Sequence, residues 1–339
     1  MHSPWYVGQE DRELLQKFRF IQNQEDERLR EATIVNESGE ETRWSLGVSV
    51  LEKNDYRNRY VNIMPYERNR VKLAVTDNRR QNDYINASYV KLDVPEQSIN
   101  PGYYIATQGP TEKTWQQFWQ MCYNECPNGD IVVVMVTPLV EYNREKCYKY
   151  WPMENDAPFV SSKVQTTSGQ AEDISEFPAE LTISYVDSER IDDFYTYTKL
   201  SIRSTESPSK RTVHHFYFDQ WRDMSKPEEV VPIMKLSEHS HGLNSQGNPI
   251  IVHCSAGVGR SGTFIALDHL VHDTRDFRNV SEFPALQHLR KPNVDYRRDL
   301  IEQIVLQLRS QRMKMVQTKD QYIFIYHAAR YLYETGNTK

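Results

Sequence analysis

Cys254 and Arg260 are the residues of this sequence best placed to do chemistry together, because a short run of mostly small residues, Ser255–Gly259, separates them. The apolar run Ile250–Val252 predicts a buried strand before them, and helical periodicity follows from Thr263 onward. A turn that leads from a strand into a helix N-terminus points backbone N–H groups and the positive end of the helix dipole at an anion site. The same field lowers the pKa of a thiol. The pattern therefore predicts a thiolate nucleophile that faces a bound phosphate.

Other interpretations of this loop explain fewer of its residues. Gly257–Gly262 matches the dinucleotide-binding fingerprint G-x-G-x-x-G, but no predicted strand precedes Glu282, about twenty positions further on, where that fold places an acidic residue. A Walker-type phosphate loop needs a lysine after its last glycine, and Thr263 stands there. Free cysteines are most often buried structural residues. A structural cysteine, however, needs neither a run of small residues nor an arginine after it.

The segment from His253 to Gly262 resembles the signature loop of the protein tyrosine phosphatases, in particular their large, phosphotyrosine-specific non-receptor class. The resemblance implies that Cys254 forms a phosphocysteine and that Arg260 binds two equatorial phosphate oxygens, as its planar fork allows. It also implies that Ser261 donates a hydrogen bond to the sulfur as it leaves. His253 would support the loop, and the phosphate would be bound by the intervening residues Ser255, Ala256, Gly257, Val258 and Gly259.

The same resemblance implies the fold and the reaction. The expected fold is α/β, a single domain with a highly twisted mixed β-sheet flanked by helices on both faces. The expected reaction is hydrolysis of phosphotyrosine in proteins, without a metal or another cofactor.

A second motif, Asn58–Tyr66, matches the family loop that forms the wall of the substrate pocket. Tyr60 would stack on the phosphotyrosine ring, a contact that contributes about 0.5–1.5 kcal/mol beyond area burial. Asn62 stands where the family often has an aspartate that holds backbone amides of the substrate; its carbonyl can accept a hydrogen bond, but the charge is missing. Without the resemblance, this segment would be interpreted as an ordinary surface loop.

The general acid is expected to be Asp223, because Trp221 and Asp223 match the family's Trp-Pro-Asp loop, which closes over the substrate. Arg222 replaces the proline of that motif, and Met224 replaces the usual aromatic residue. Loss of proline frees φ and restores a backbone donor. We therefore expect a loop that is less preorganised for closure. A plain surface aspartate is the alternative.

Two further motifs supply supporting residues. Glu141 and Lys146 lie in a segment similar to the family's mobile loop, where the glutamate orients the signature arginine and the lysine approaches the acid loop. A solvated charged turn would otherwise be the default interpretation. Gln317, with Gln321 nearby, matches the last family motif, whose first glutamine positions the hydrolytic water. The resemblance implies that both glutamines contact the substrate.

The elements that must position these motifs follow from hydrophobic periodicity. A charged amphipathic helix is predicted over residues 8–31, followed by a polar loop over 34–46. The β-branched run Asp130–Val136 predicts a strand in a sheet covered on both faces. Residues 155–180 lack apolar periodicity, which predicts an irregular surface segment. Further strands are predicted at residues 181–185 and 195–202, and a last helix at 322–333.

The resemblance covers roughly residues 45–335. We therefore expect an N-terminal helical segment, residues 1–44, packed on a catalytic domain of residues 45–339.

Composition restricts the partners and the compartment. The chain has 339 residues and a net charge of -6, so no general attraction to nucleic acid or membranes is expected. Its four cysteines form no disulfide framework, and Cys122 and Cys126 have no further ligands at zinc-site spacing, so both are expected in the core. No signal peptide or membrane span is recognisable. The prediction is a soluble cytoplasmic monomer that acts on phosphotyrosine-containing proteins.

Two other functions remain open at this stage. One is a phosphotyrosine-binding module that has kept the fold and lost turnover because of Arg222. The other is a phosphatase for phosphoserine, lipid or RNA, whose shallower or more basic pocket generally lacks the wall that contains Tyr60. Phosphate release from phosphotyrosine and phosphoserine peptides distinguishes these possibilities.

Overall fold

The structure is a computed structural model that describes residues 4–34, 39, 41–166, 174–277 and 298–336. The described helices are α1 (Asp11–Glu31), α2 (Trp115–Glu125), α3 (Val230–Leu243), α4 (Gly259–Asp273), α5 (Leu300–Gln311) and α6 (Lys319–Thr335). The described strands are β1 (Arg70–Lys72), β2 (Tyr84–Leu92), β3 (Gly102–Thr107), β4 (Ile131–Met135), β5 (Val140–Glu141), β6 (Arg144–Glu145), β7 (Phe159–Ser161), β8 (Val164–Thr166), β9 (Ile174–Glu176), β10 (Leu181–Ile191), β11 (Tyr195–Ser204), β12 (Lys210–Tyr217) and β13 (Ile250–His253).

Nine of these strands form one mixed sheet in the order β1-β2-β3-β13-β4-β12-β11-β10-β7. The four central strands, β3, β13, β4 and β12, run parallel, and the outer strands pair antiparallel. The carboxyl ends of the parallel strands therefore meet at one edge, where α/β sheets place their binding sites. Cys254 follows β13 directly, the segment with Asp223 follows β12, and Glu141 follows β4.

Two hydrophobic cores lie on the two faces of this sheet. Along β4, Val132 and Val134 belong to one core, and Val133 and Met135 belong to the other. Residues of α1 and α3–α6 cover the first face, and residues of α2 cover the second. This arrangement confirms the expected fold, including a strand buried on both faces.

Helix α1 confirms the N-terminal helix predicted from periodicity, and it packs on the rest of the chain. Leu14 and Ile21 are fully buried in the first core. Glu25 is fully buried and pairs with Arg309 at 2.9 Å, while its other oxygen accepts from the Lys314 backbone N–H. The ion pair attaches α1 to α5, and the hydrogen bond attaches α1 to the segment that precedes Gln317.

Replacement of Glu25 by glutamine is expected to lower the free energy of unfolding by about 3–5 kcal/mol, because it leaves the buried charge of Arg309 without a counter-ion. Equilibrium denaturant unfolding measures this loss. Glu27→Gln is the matched control on an exposed face of the same helix, with an expected change within about 0.5 kcal/mol. Equal stability of the two variants would show that the pair contributes nothing.

The prediction of an irregular segment over residues 155–180 is wrong in part. β7 adds an edge strand to the main sheet by pairing with β10, and β8 pairs with β9 as a separate hairpin. Phe177 is buried in the second core. Ser175 is also buried, and its hydroxyl oxygen accepts a hydrogen bond from the guanidinium of Arg57. Strands of three residues contain too few alternations to produce a periodic signal.

Within the described ranges, Cys122 and Cys126 are buried in the core as expected, with free thiols. No helix in the described part of the chain is long and apolar enough to cross a membrane. Glu282, the acidic residue at the spacing of the dinucleotide-binding fingerprint, lies outside the described residues.

Candidate active site

The loop between β13 and α4 has the predicted strand–turn–helix geometry. Gly257 has a φ of 79° in the left-handed region, and a Cβ at this position would lie 2.2 Å from the carbonyl oxygen of Thr107. Only glycine fits there, because both the backbone conformation and the contact exclude a side chain. Helix α4 begins at Gly259, so its N-terminus faces the loop.

A backbone amide of this loop donates a hydrogen bond to Cys254. The N–H of Gly257 donates to Sγ at 3.2 Å, and Cys254 is 2% exposed. The guanidinium of Arg312 lies on the opposite side of the loop and donates to the carbonyl oxygens of Gly257 and Ala256 at 2.9 and 3.0 Å. In a trans peptide the N–H points away from the neighbouring carbonyl, so these bonds orient the N–H groups of Gly257 and Val258 toward the sulfur side.

Arg312 is therefore a site residue that the sequence analysis missed. Burial lowers the pKa of its guanidinium to about 10, so it remains charged at neutral pH. Asn86 and Ser88 on β2 accept its other hydrogen bonds. The motif that includes Gln317 also contains Arg312, but its contact with the loop is visible only in three dimensions.

Arg260 is buried, and part of its guanidinium is already engaged. Nη1 donates to the carbonyl oxygen of Trp221 at 2.8 Å and lies 3.5 Å from Glu141 Oε2. Nε and Nη2 have no hydrogen-bond acceptor among the described residues, although Nη2 lies 3.5 Å from Asp223 Oδ1. Two adjacent donors of this kind match two oxygens of a phosphate group. Ser261 Oγ is likewise buried without a partner in the described part of the chain.

Asp223 lies beside Arg260, as the acid-loop prediction requires. Its carboxylate pairs with Lys146 Nζ at 3.0 Å, and its side chain is 35% exposed. Its backbone N–H donates to Glu141 Oε1 at 3.0 Å. Glu141 thus contacts both the arginine and the acid loop. The structure brings the four predicted residues of this group together.

The segment around Asp223 also shows how Arg222 and Met224 are accommodated. Trp221 is buried, and its indole N–H donates to the carbonyl oxygen of Ser225 at 2.6 Å. Met224 has a φ of 58°, an unusual conformation for a residue with a side chain, and it is exposed. Arg222 is exposed as well.

His253 belongs to a buried hydrogen-bonded chain with two residues that the sequence analysis did not assign to the site. Nδ1 of His253 lies 3.0 Å from the Cys254 carbonyl oxygen, and Nε2 lies 2.7 Å from the Tyr150 hydroxyl. That hydroxyl also lies 2.7 Å from His215 Nε2. Burial lowers the pKa of His253 to about 4, so the imidazole is neutral at physiological pH.

A neutral ring that donates from Nδ1 must accept at Nε2. Tyr150 therefore donates to His253 and accepts from His215. These hydrogen bonds hold the Cys254 carbonyl oxygen in place. His253 therefore supports the loop and does not transfer protons at neutral pH.

The predicted pocket wall is attached to the signature loop. Ser255 Oγ donates to the carbonyl oxygen of Lys146 at 2.8 Å and therefore accepts from the Tyr60 hydroxyl at 2.7 Å. Arg59 fixes the base of the wall through hydrogen bonds to the carbonyl oxygens of Gly109 and Pro110. Asn62 is exposed on the turn that follows Tyr60.

Gln317 and Gln321 lie at the start of α6, next to Gly259. A Cβ on Gly259 would lie 3.1 Å from Gln317 Oε1 and 3.0 Å from Gln321 Oε1. Gln321 is fully buried and closes a capping box with Thr318. Its Nε2 donates to the Ser225 carbonyl oxygen at 3.1 Å. Its polar atoms are therefore engaged with the helix end and the acid loop, whereas Gln317 is only half-buried.

The class of protein follows from this fold and site together with a family comparison. The model of the family described as protein-tyrosine phosphatase matches residues 54–331. The chain belongs to the protein-tyrosine phosphatase family, and it is a phosphoric monoester hydrolase.

Individual relatives agree with this assignment. The chain is 64% identical to tyrosine-protein phosphatase 1 of Saccharomyces cerevisiae over 337 residues, which covers 97% of both chains. It is 33% identical to tyrosine-protein phosphatase 1 of Schizosaccharomyces pombe over 314 residues, covering 92% of this chain and 50% of that protein. The fold is similar to that of a chain in a solved structure of PTPN18, with a TM-score of 0.70, 24% identity and 94% coverage of both chains.

Proposed function

We propose that this enzyme hydrolyses phosphotyrosine in proteins through a phosphocysteine intermediate. The observation that carries the proposal is the arrangement around Cys254. The Gly257 N–H donates to the sulfur, α4 begins beside it, and two donors of Arg260 have no acceptor among the described residues. Such an arrangement stabilises both a negative sulfur and a phosphate in front of it.

In the first step the Cys254 sulfur attacks phosphorus in line with the phenolic oxygen. The S–P bond forms, the P–O bond to tyrosine breaks, and Asp223 transfers its proton to the leaving oxygen. Nε and Nη2 of Arg260 hold two equatorial oxygens. Phosphoryl transfer needs mainly positioning and charge stabilisation, which the loop amides and this arginine supply.

In the second step water attacks the phosphocysteine. Asp223, now a carboxylate, takes a proton from the water while the P–S bond breaks. Gln317 positions the water, and Ser261 donates a hydrogen bond to the departing sulfur. We assign Gln321 to the support of the acid loop rather than to substrate contact, because its polar atoms are already engaged.

The wall formed by Tyr60 supports selectivity for phosphotyrosine. Its hydroxyl is fixed by Ser255 next to the nucleophile, so its ring is held at one side of the site. The aromatic ring of the substrate would stack on the Tyr60 ring. The side chain of phosphoserine is too short to reach past this wall to Cys254. Among the structural relatives, a solved structure of PTPN18 is described as a complex with HER2-pY1248 phosphopeptides.

Phosphate release from matched phosphotyrosine and phosphoserine peptides with identical flanking residues tests the proposal. We expect turnover of the first and none of the second. Binding without turnover would indicate a phosphotyrosine-binding module, and equal turnover of both peptides would indicate a phosphatase of broader specificity.

We further propose residues 1–44 as a segment that packs on the catalytic domain, residues 45–339, since α1 is held by buried contacts. We also propose that this enzyme is a cytoplasmic monomer that acts in signalling; its few cysteines suit a reducing compartment.

Replacement of Arg222 by proline tests the role of the acid loop. Proline fixes φ near −65°, so the variant is expected to shift the loop between open and closed conformations. We expect a changed kcat with a nearly unchanged peptide Kd. Arg222→Ala, which removes the same side chain without fixing φ, is the matched control and should leave the loop equilibrium nearly unchanged. If kcat and Kd both stay constant in Arg222→Pro, Arg222 is a tolerated surface substitution.

Mild peroxide is expected to inactivate the enzyme in a way that a thiol reductant reverses. The sulfur of Cys254 would be oxidised to sulfenic acid by peroxide, which is reduced to water. The backbone nitrogen of Ser255 would then attack the sulfur of the sulfenic acid. An S–N bond forms, and the hydroxyl group of the sulfenic acid leaves with the amide proton as water. Mass spectrometry of the oxidised protein identifies the product, and resistance to peroxide would contradict thiolate character.

A disulfide between Cys254 and Cys147 is the competing product. The sequence gives no sign that these two cysteines are neighbours, but in the structure they lie near each other. A Cβ on Gly109 would touch both the Cys254 carbonyl oxygen and Cys147 Cβ, so the two cysteines flank the same glycine. Burial raises the pKa of the Cys147 thiol well above its usual value, and Sγ donates to the Tyr148 carbonyl oxygen at 3.3 Å. A protonated thiol is a poor nucleophile, so we expect the sulfenamide to dominate. A Cys254–Cys147 disulfide would disprove that assignment.

A further inference from the structure

A histidine–aspartate cluster lies where α3 meets α4, apart from the active site. Asp268 and His272 lie one helical turn apart on α4, and His241 lies in the last turn of α3. One ligand atom from each of these side chains can be chosen so that all lie within 4.8 Å of one another. None of the three residues takes part in the proposed reaction.

The separations within the cluster suit a metal ion. His241 Nδ1 lies 3.0 Å from Asp268 Oδ2, and His272 Nε2 lies 3.8 Å from Asp268 Oδ1. Zinc bonds to imidazole nitrogen and carboxylate oxygen are about 2.0–2.2 Å long, which places ligand atoms of a tetrahedral ion roughly 3.3–3.6 Å apart. The two imidazole rings stack at a centroid distance of 4.0 Å with an interplanar angle of 14°, so the rings would tilt toward each other for both nitrogens to point at one ion.

Asp268 has the surroundings of a ligating carboxylate. It is fully buried, and the Tyr104 hydroxyl donates to Oδ2 at 2.6 Å while Ser237 Oγ donates to Oδ1 at 2.7 Å. Metal-ligating carboxylates are usually oriented by such outer hydrogen bonds. A buried carboxylate also requires compensation by positive charge. The neighbouring carboxylates of Asp273 and Glu238 make the site still more negative.

The cluster is open to solvent on its histidine side. The His241 side chain is 32% exposed and that of His272 is 20% exposed, while Asp268 is inaccessible. An ion can therefore enter past the imidazoles and keep water as a fourth ligand, as three-ligand zinc sites do.

We propose that His241, Asp268 and His272 form a binding site for a divalent transition-metal ion of the zinc type. Two imidazoles and one carboxylate favour zinc, copper or nickel over magnesium or calcium, which prefer oxygen ligands. A bound ion would link the end of α3 to α4, the helix whose first turn contains Arg260. Because it binds only the folded protein, it would also raise Tm.

Calorimetric titration of Zn²⁺ into the full chain with Cys254→Ser, which removes the active-site thiol as a competing ligand, tests the proposal. We expect a single site that His241→Asn and His272→Asn each abolish. Ser237→Ala removes the hydrogen bond to Asp268 Oδ1 and the 3.2 Å contact of Ser237 Oγ with His272 Nε2, and it should weaken binding about 10–100-fold. His327→Asn is the matched control, because His327 lies outside the cluster and pairs with Asp11 at 3.1 Å. This variant should bind zinc as the Cys254→Ser protein does. Unchanged binding in both His241→Asn and His272→Asn would overturn the proposal.

A spectroscopic measurement keeps the test decisive if a ligand variant does not fold. Co²⁺ in the Cys254→Ser protein should give visible d–d absorption typical of a four-coordinate site, without the intense near-ultraviolet band of thiolate ligation. A thiolate band, or no visible bands at saturating Co²⁺, would refute the assignment. Circular dichroism and Tm in the absence of metal show which variants are folded.

Discussion

Replacement of Cys254 by serine is expected to abolish phosphate release while leaving the fold and phosphopeptide binding intact. A serine hydroxyl at this position would not ionise, so no nucleophile would face the phosphate. The amides on the sulfur side, oriented by Arg312, and the donors of Arg260 would remain to bind the substrate. Single-turnover assays and peptide titration separate the two effects.

Cys126→Ser is the matched control for Cys254→Ser, because Cys126 is also buried but lies at the end of α2 next to Pro249. It should retain turnover. Residual activity of even a few per cent in Cys254→Ser would rule out the covalent mechanism, and loss of peptide binding would show that the sulfur itself is needed for recognition.

Replacement of Asp223 by asparagine is expected to lower turnover by about 10²–10⁴-fold, the usual contribution of general acid–base catalysis. A general acid donates a proton only while it is protonated, so the rate of the parent enzyme should fall toward alkaline pH. Asparagine has no proton to lose in this range. The alkaline limb of the rate–pH profile should therefore disappear in Asp223→Asn.

Asp219→Asn provides the control in the same loop, because Asp219 pairs with Arg190 at 3.6 Å instead of with the site. It should keep both the rate and the alkaline limb. An alkaline limb that survives in Asp223→Asn would assign the general acid to another residue. Steady-state rates on a phosphotyrosine peptide across the pH range provide both measurements.

Local sequence determined the geometry of the loop that contains Cys254 and Arg260. The strand–turn–helix pattern around Cys254 and the spacing to Arg260 depend on neighbouring residues only, so a single segment contains the complete signal. The same holds for α1 and for β4, whose long periodic or β-branched runs predict their type and burial. The family resemblance then added Asp223 as a site residue. In the structure Asp223 lies beside Arg260, as that resemblance implies.

Only the tertiary structure decided which distant side chains support that chemistry. Arg312 lies against the signature loop, and Tyr150 links His215 to His253, although each pair is far apart in sequence. No periodicity reports such contacts, because a pattern shows which face of an element is buried and leaves its neighbour undefined.

The tertiary structure also decided the role of residues whose local signal was ambiguous. Gln321 matches a substrate-contacting position of the family, yet its side chain caps α6 and holds Ser225. Glu25 looks like one more charge on a polar helix until the fold buries it against Arg309. His241 approaches Asp268 only because α3 packs on α4. In each case the partner comes from another element, and burial gives the contact its energetic weight.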